Sequence, residues 1–376
     1  MDFDLSNEQR KRLAEIEAAV SAELAGDGDE PFSRARWQAA ARAGLTGLCL
    51  PAEHGGGGLG ALDTALALET FGHACPDTGL VFAVSAHLLA GAVPIRDFAR
   101  DDVREELLPG LADGSLIAAN AMTEDGAGSD VRGIRTAARR DGDDYVLDGE
   151  KSFVSNGPAA DVFIVYAVTD PTAGFLGQSV FAVPTDRAGL RVSEPFDKLG
   201  LRSCPAGRVT FDGCRVPARF LLGEEGQGSA VFQHSMGWER ACLPAGYLGL
   251  LDRQLDRSIA HAREREQFGR AIGGFQAVSH RIVGMYERIE AARQLLYRAC
   301  WSMDAGRDAV PAAALSKIAV SEAAVANSVD ALQVLGARGY RTGSGAEREL
   351  RDAIPSTVFS GTTEIQRELI ARRLGL

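Results

Sequence analysis

The chain has 376 residues, 45% of them hydrophobic and 24% charged, with a net charge of −11. That composition is globular and large enough for two or three packed subdomains. It carries no basic stripe of the kind that nucleic-acid binders use, and its acidic surface leaves any anionic substrate dependent on local cations.

The six cysteines (Cys49, Cys75, Cys204, Cys214, Cys242 and Cys300) form no CxxC pair. This argues against a disulfide framework or a zinc site, and no metal is expected. The opening MDFDLSNEQRKRLAEI is polar and helical rather than a signal peptide. No apolar run is read as approaching the roughly 20 residues that span a bilayer. A cytoplasmic location without membrane or nucleic-acid partners is the expectation.

Residues 1–117 are read as a helical domain. Ser6 and Gln9 fit a capping box, and Leu13, Ile16, Val20 and Leu24 fall on one helix face. PAEHGGGGLG (51–60) contains a literal GxGxxG at Gly55, Gly57 and Gly60. No strand precedes it and no βαβ units follow, so it reads as a flexible surface turn rather than a dinucleotide loop. Residues 118–226 carry short β-branched and aromatic runs bounded by Gly, Pro and Asp, such as DVFIVYAVTD and GRVTFDGCRVP, which predict a small antiparallel β domain. Residues 227–376 return to helical spacing. Leu243, Tyr247, Leu251, Leu255 and Ile259 repeat every four residues, and Ile282, Met285, Ile289, Ala292 and Leu296 alternate steps of three and four, as in a packed bundle.

Four segments carry chemistry. AMTEDGAGSD (121–130) offers the hydroxyls of Thr123 and Ser129 beside glycines that admit close backbone approach. GEKSFVSNG (149–157) places Phe153 two residues before Ser155. In REREQFGRAIGGFQ (263–276), Arg265 and Arg270 flank Phe268-Gly269, and a guanidinium fork suits a pyrophosphate. In FSGTTEIQR (359–367) a Ser-Gly-Thr-Thr turn opens a short helix near Glu364, whose free N–H groups favour an anion. Taken singly, these read as a turn, a half-buried strand, a solvated basic face and a capped helix.

In this order, the four segments resemble the acyl-CoA dehydrogenase family along essentially the whole chain. The resemblance implies an α+β fold of N-terminal helical domain, middle antiparallel β domain and C-terminal four-helix bundle. It implies FAD, held by Met122, Thr123, Ser129, Phe153 and Ser155, where Phe153 replaces the usual tryptophan and Ser155 the usual threonine. Arg265, Phe268, Gln276, Gln333 and Gly336 would reach FAD across a subunit interface, in a homodimer or homotetramer. Thr362 and Glu364 would lie against the adenosine part.

At the family's usual base, directly before Gly361-Thr362, stands Ser360 rather than glutamate. A minority of the family carries its base on a bundle helix just before an arginine, and here that position is Glu239, followed by Arg240. Glu239 is therefore the expected catalytic base, with Ser360, Gly361 and Arg240 beside the substrate.

Stretches such as SMGWERACL, LRSCPAG, RACWSMDAG, ALSKIAVSE and TVFSGTTEIQ resemble the L-prolyl carrier-protein dehydrogenases. That likeness implies oxidation of a prolyl thioester on an acyl or peptidyl carrier protein to pyrrole-2-carboxyl, with oxygen or an electron-transfer flavoprotein as acceptor. A carrier protein, usually acidic, would need a local basic patch, for which Arg293 and Arg298 are candidates. A short- or branched-chain acyl-CoA dehydrogenase, a flavin monooxygenase on the same fold and a non-catalytic binding protein are the competing readings.

Overall fold

The computed structural model describes residues 4–26 and 28–376. Six helices come first: α1 (Asn7–Glu23), α2 (Arg34–Arg42), α3 (Ala61–Ala74), α4 (Thr78–Ala86), α5 (Val93–Phe98) and α6 (Asp101–Ala112). The capping box forms: the Gln9 N–H donates to the Ser6 hydroxyl at 3.1 Å, and the Ser6 N–H donates to Gln9 Oε1 at 2.8 Å. The glycine-rich turn lies between helices, but it is tied down rather than flexible. Gly57, Gly58 and Leu59 donate backbone hydrogen bonds to Gly47, Leu50 and Leu48 at 2.8–3.0 Å. A side chain at Gly56 would place its Cβ 2.2 Å from the Leu50 carbonyl, so close packing explains that glycine.

Two segments are longer and more apolar than the sequence reading allowed. Thr78–Phe98, where α4 runs through a π-helical stretch into α5, covers 21 residues whose most apolar 18-residue window has a mean hydropathy of 1.7, and Val310–Leu335 covers 26 with such a window at 1.2. The first is apolar because the protein covers it: its most apolar window is 94% buried. His87 and Pro94 interrupt its appearance in the sequence. His87 is satisfied inside the core, with Nε2 3.1 Å from the Leu111 carbonyl and Nδ1 accepting the Ala118 N–H at 2.9 Å.

The central sheet comprises β1 (Ala118–Ala121), β2 (Ala137–Asp141), β3 (Asp144–Ser155), β4 (Val162–Val168), β5 (Gln178–Pro184), β6 (Leu190–Val192), β7 (Ala206–Pro217) and β8 (Leu221–Leu222). Its order is β6-β7-β3-β2-β4-β5-β8, with β1 on β4. The expectation of purely antiparallel strands is corrected here. β1 pairs with β4 in parallel, and β2 meets β4 in parallel at Ala137 and Val168. The β2–β3 hairpin intervenes between β1 and β4 and supplies the long connection that parallel pairing needs. A register shift between Lys151 and Val154 bulges β3 and turns Phe153 outward at φ +56°.

The bundle contains α7 (Gly228–Cys242), α8 (Pro244–Glu264), α9 (Gln276–Asp304) and α10 (Val310–Leu335), followed by α11 (Ala337–Tyr340), α12 (Ala346–Ala353) and α13 (Thr363–Arg373). A small hairpin, β9 (Glu266–Gln267) with β10 (Arg270–Ala271), joins α8 to α9. Helix α8 lies so close on α3 that a Cβ at Gly249 would sit 2.1 Å from the Glu69 carbonyl. The N-terminal helices thus seat on the bundle through backbone contact. Arg293 is drawn into this seam, donating to Glu69 at 2.9 Å and to Asp252 at 2.6 and 2.7 Å. It has no free guanidinium for a carrier protein, which removes it from the docking candidates. Arg298, one turn on, is exposed.

Candidate functional site

Where the sheet, α7 and the start of α13 meet, a cavity of about 580 Å³ opens. Met122, Thr123 and Ser129 line it from the segment after β1, Glu239 and Arg240 from α7, and Ser360 and Gly361 from the turn before α13. Seven residues singled out from sequence thereby share one wall system. Asn120, Phe232, Met236 and Arg132 complete much of the rest.

Glu239 lies near the C-terminal end of α7 and is 8% exposed. Its Oε1 accepts a hydrogen bond from the Ser360 hydroxyl. Burial pushes the carboxyl above its ordinary value, opposed by that hydrogen bond and by the positive charges of Arg240 and Lys317. Tyr166 of β4 is fully buried nearby; burial and the Glu239 charge push its phenol upward. A carboxyl kept in an apolar, hydrogen-bonded site of this kind is suited to remove a weakly acidic proton.

Ser360 occupies the left-handed region at φ +58°, which an ordinary side chain adopts at some cost. The surroundings hold it there. Arg240 Nε donates to the Ser360 carbonyl at 3.0 Å, and Gln366 Nε2 donates to the same carbonyl at 3.1 Å and to Gly361 O at 2.9 Å. Gly361 follows at φ +86°. Helix α13 is capped from within: the Thr362 hydroxyl accepts the Ile365 N–H at 3.4 Å. Its own backbone N–H holds the exposed Glu364 carboxyl below the ordinary range, so the helix start expected to favour an anion already carries a carboxylate.

The remaining sequence-predicted residues lie apart from the cavity lining. Phe153 is 64% exposed, with its ring 5.6 Å from that of Phe196, and Ser155 is half-buried at the end of β3. Thr362 and Glu364 follow the lining turn without lining the cavity. Arg265 and Phe268 on the β9–β10 hairpin, Gln276 at the start of α9, and Gln333 and Gly336 at the end of α10 are all exposed and outside this chain's cavity. Phe268 is 94% exposed at φ +52°.

Sequence reasoning missed several contributors. Lys317 was visible as a lysine inside the small and apolar run ALSKIAVSE, an arrangement that signals a buried cation. Gln366 lay within a quoted motif without a role. Nothing in the strand pattern distinguishes Tyr166 from a core aromatic.

Models of the acyl-CoA dehydrogenase N-terminal, middle and C-terminal domains match residues 6–115, 119–214 and 226–375. An L-prolyl-[peptidyl-carrier protein] dehydrogenase of Pseudomonas fluorescens is 52% identical, with both chains fully covered. A solved structure of PigA with FAD and proline superposes with a TM-score of 0.97 at 42% identity over the whole of both chains. That of the prolyl acyl carrier protein oxidase AnaB gives 0.96 at 40% identity, covering 99% of this chain and all of that one. By these matches the chain belongs to the acyl-CoA dehydrogenase family.

Proposed function

We propose that this protein is an FAD-dependent dehydrogenase that converts a carrier-protein-bound prolyl thioester to the pyrrole-2-carboxyl thioester, with Glu239 as the base that removes the α proton. One observation carries the reading: the acid is absent at position 360, and a buried carboxyl, bonded to Ser360, stands in the same cavity. The likeness to prolyl dehydrogenases over the full chain supports the substrate class.

The residues present fit a flavin. Met122 and Thr123 form one wall, Asn120 Oδ1 is buried in the cavity lining without a hydrogen-bond partner, and Phe153 offers an exposed ring from a bulged strand. Met122, Thr123 and Ser129, with Phe153 and Ser155 from β3, would hold the cofactor. When bound, FAD supplies the two-electron acceptor for a hydride.

The chain's own residues do the rest. Glu239 takes the α proton. The Ser360 hydroxyl stabilises its ionised form, and Arg240 and Gln366 fix the turn that holds Ser360. Serine is shorter than glutamate at 360 and leaves width for a ring at Cα. Reaching the pyrrole takes two successive dehydrogenations of the ring, a step found in the biosynthesis of pyrrole-containing natural products.

A homodimer or homotetramer belongs to the proposal. Exposed Phe268, Val283 and Tyr286 and an apolar groove of about 440 Å³ lined by Ile259, Ala262, Ile282 and Val283 support a subunit contact on that face. All six cysteines are buried and unpaired, which supports a cytoplasmic location. Intact-mass analysis of a prolyl-loaded carrier protein tests the function: a loss of about four mass units is expected. Unchanged mass with the FAD-loaded protein present would refute it, and bleaching of the flavin by acyl-CoA instead would favour the acyl-CoA reading. Turnover under strict anaerobiosis, with and without an electron-transfer flavoprotein, identifies the acceptor.

A further inference from the structure

Lys317 is fully buried in α10. Its Nζ has no hydrogen-bond partner among the described residues, and its nearest aromatic contact is the Phe359 ring, 5.9 Å away. Buried lysines are normally paired. Lys151, the other fully buried lysine, shows the usual solution: its Nζ donates to Glu124 at 2.8 Å and to the Met122 carbonyl at 3.1 Å. Lys317 lacks such a partner, and its backbone is tightly fixed. Ser321 Oγ donates to the Lys317 carbonyl at 2.7 Å and to Ser356 O at 2.8 Å, tying α10 to the turn that leads into Phe359 and Ser360.

The charged and titratable groups around it come from three further elements. Glu239 and Arg240 face it from α7, and Glu364 acts on it from α13. Tyr166 of β4 also feels the Glu239 charge. Arg240 spends its Nε on the Ser360 carbonyl. The Lys317 ammonium is thus a second cation whose charge acts on the buried carboxyl, and one without a bonded partner among the described residues.

We propose that Lys317 is a positioning residue for the base: its ammonium, buried against Phe359 without a bonded partner, favours the ionised form of Glu239, so that the carboxyl passes each abstracted proton on to solvent water and is ready for the next removal. The proposal rests on Glu239 acting as the base. Two dehydrogenations by the same base require its carboxyl to lose its proton between them. Burial works against that, and a neighbouring fixed positive charge works for it. Burial and Arg240 draw the lysine down to about 8, so it still carries its charge through neutral pH.

The test is an infrared titration of the FAD-loaded protein, following the protonated-carboxyl band that is missing in Glu239→Gln. In Lys317→Met the midpoint should rise by about one pH unit, a tenfold gain in proton affinity. Lys317→Gln should shift it in the same direction, and Lys317→Arg, which keeps the charge, should leave it near that of the parent. Should the methionine protein fail to retain FAD, the glutamine and arginine proteins decide the matter. A neutral variant that titrates like the parent, or an arginine variant that shifts as far as the neutral ones, overturns the proposal. In single-turnover flavin reduction by prolyl carrier protein, Lys317→Met should be about tenfold slower on the acid limb and unchanged on the alkaline plateau. A parent protein that ignores prolyl carrier protein defeats the function proposed above, while the infrared midpoints still judge Lys317.

Discussion

Ser360 donates its hydroxyl hydrogen to Oε1 of Glu239, joining residues 121 positions apart. A serine that cannot itself remove a proton has become the partner of the carboxyl that can. Glu239→Gln should therefore keep its yellow FAD and lose at least about a hundredfold in the rate of flavin reduction by prolyl carrier protein, the span general-base catalysis ordinarily covers. Rapid-mixing absorbance measures this, and a Glu239→Gln protein reduced at the parent rate would remove the proposed base.

Ser360→Ala separates the two roles. The Ser360 hydrogen bond lowers the Glu239 pKa against the larger upward push of burial. Removing it lets the folded carboxyl hold its proton to higher pH. The acid limb of flavin reduction should move up by about one unit, as loss of a hydrogen bond to a charged group predicts. The plateau above it should stay near the parent rate. A loss of rate that is equal at all pH values would show that the hydroxyl acts on the substrate and not on the base.

Phe153 offers a test of the cofactor wall. Its ring is 64% exposed and its backbone sits at φ +56° on a bulge, an arrangement that spends strain to present an aromatic surface. Phe153→Ala should weaken FAD retention during desalting, and Phe153→Trp should preserve it. Equal FAD content in the alanine protein would remove Phe153 from the cofactor site.

The sequence carried the large elements well because their signals are local. The Ser6–Gln9 capping box, the strand runs and the four-residue spacing of α8 all depend on neighbours in the chain. The assembled cavity was legible only through the order of the four segments, since no single one exceeded an ordinary turn or helix. What escaped depends on distant packing. The parallel pairing of β1 with β4 follows from a crossover, and the membrane-length apolarity of Thr78–Phe98 from burial on all sides. Arg293 looked like a surface cation until α3 brought Glu69 against it. Lys317 appeared in a quoted run, but only the fold shows that its ammonium is buried without a hydrogen-bond partner, near the Phe359 ring.

The seam between the N-terminal helices and the bundle depends on a buried carboxylate. Glu349, 1% exposed, pairs with Arg253 at 3.1 Å and also with Arg257. Arg253 in turn donates to the Cys75 carbonyl at 2.9 Å, at the end of α3. Glu349→Ala leaves two partly buried guanidinium groups without their carboxylate and should destabilise the protein by about 3 kcal/mol. Thermal unfolding should begin several degrees lower. A melting temperature within a degree of the parent's would show that water replaces the lost pairings.

Asp352 gives the stability a pH dependence of opposite sign to that of ordinary paired carboxylates. Burial raises its carboxyl to about 6, against the Leu201 N–H bond and the Arg348 and Arg351 charges, with Asp77 adding to the rise. In the unfolded chain an aspartate releases its proton near about 4. Between these values the folded protein binds the extra proton, so stability falls as pH rises from about 4 to about 6 and stays lower above. Asp352→Asn retains an oxygen for the Leu201 N–H, which now donates to Oδ1 at 2.6 Å, and removes the buried charge. It should melt higher than the parent at pH 7.5, by the equivalent of about 1–3 kcal/mol, and match it near pH 4. Paired melting curves at the two pH values decide this. A variant that is less stable at pH 7.5 would mean that the charge is favourable where it lies, held by Arg348 and Arg351 more strongly than burial opposes it.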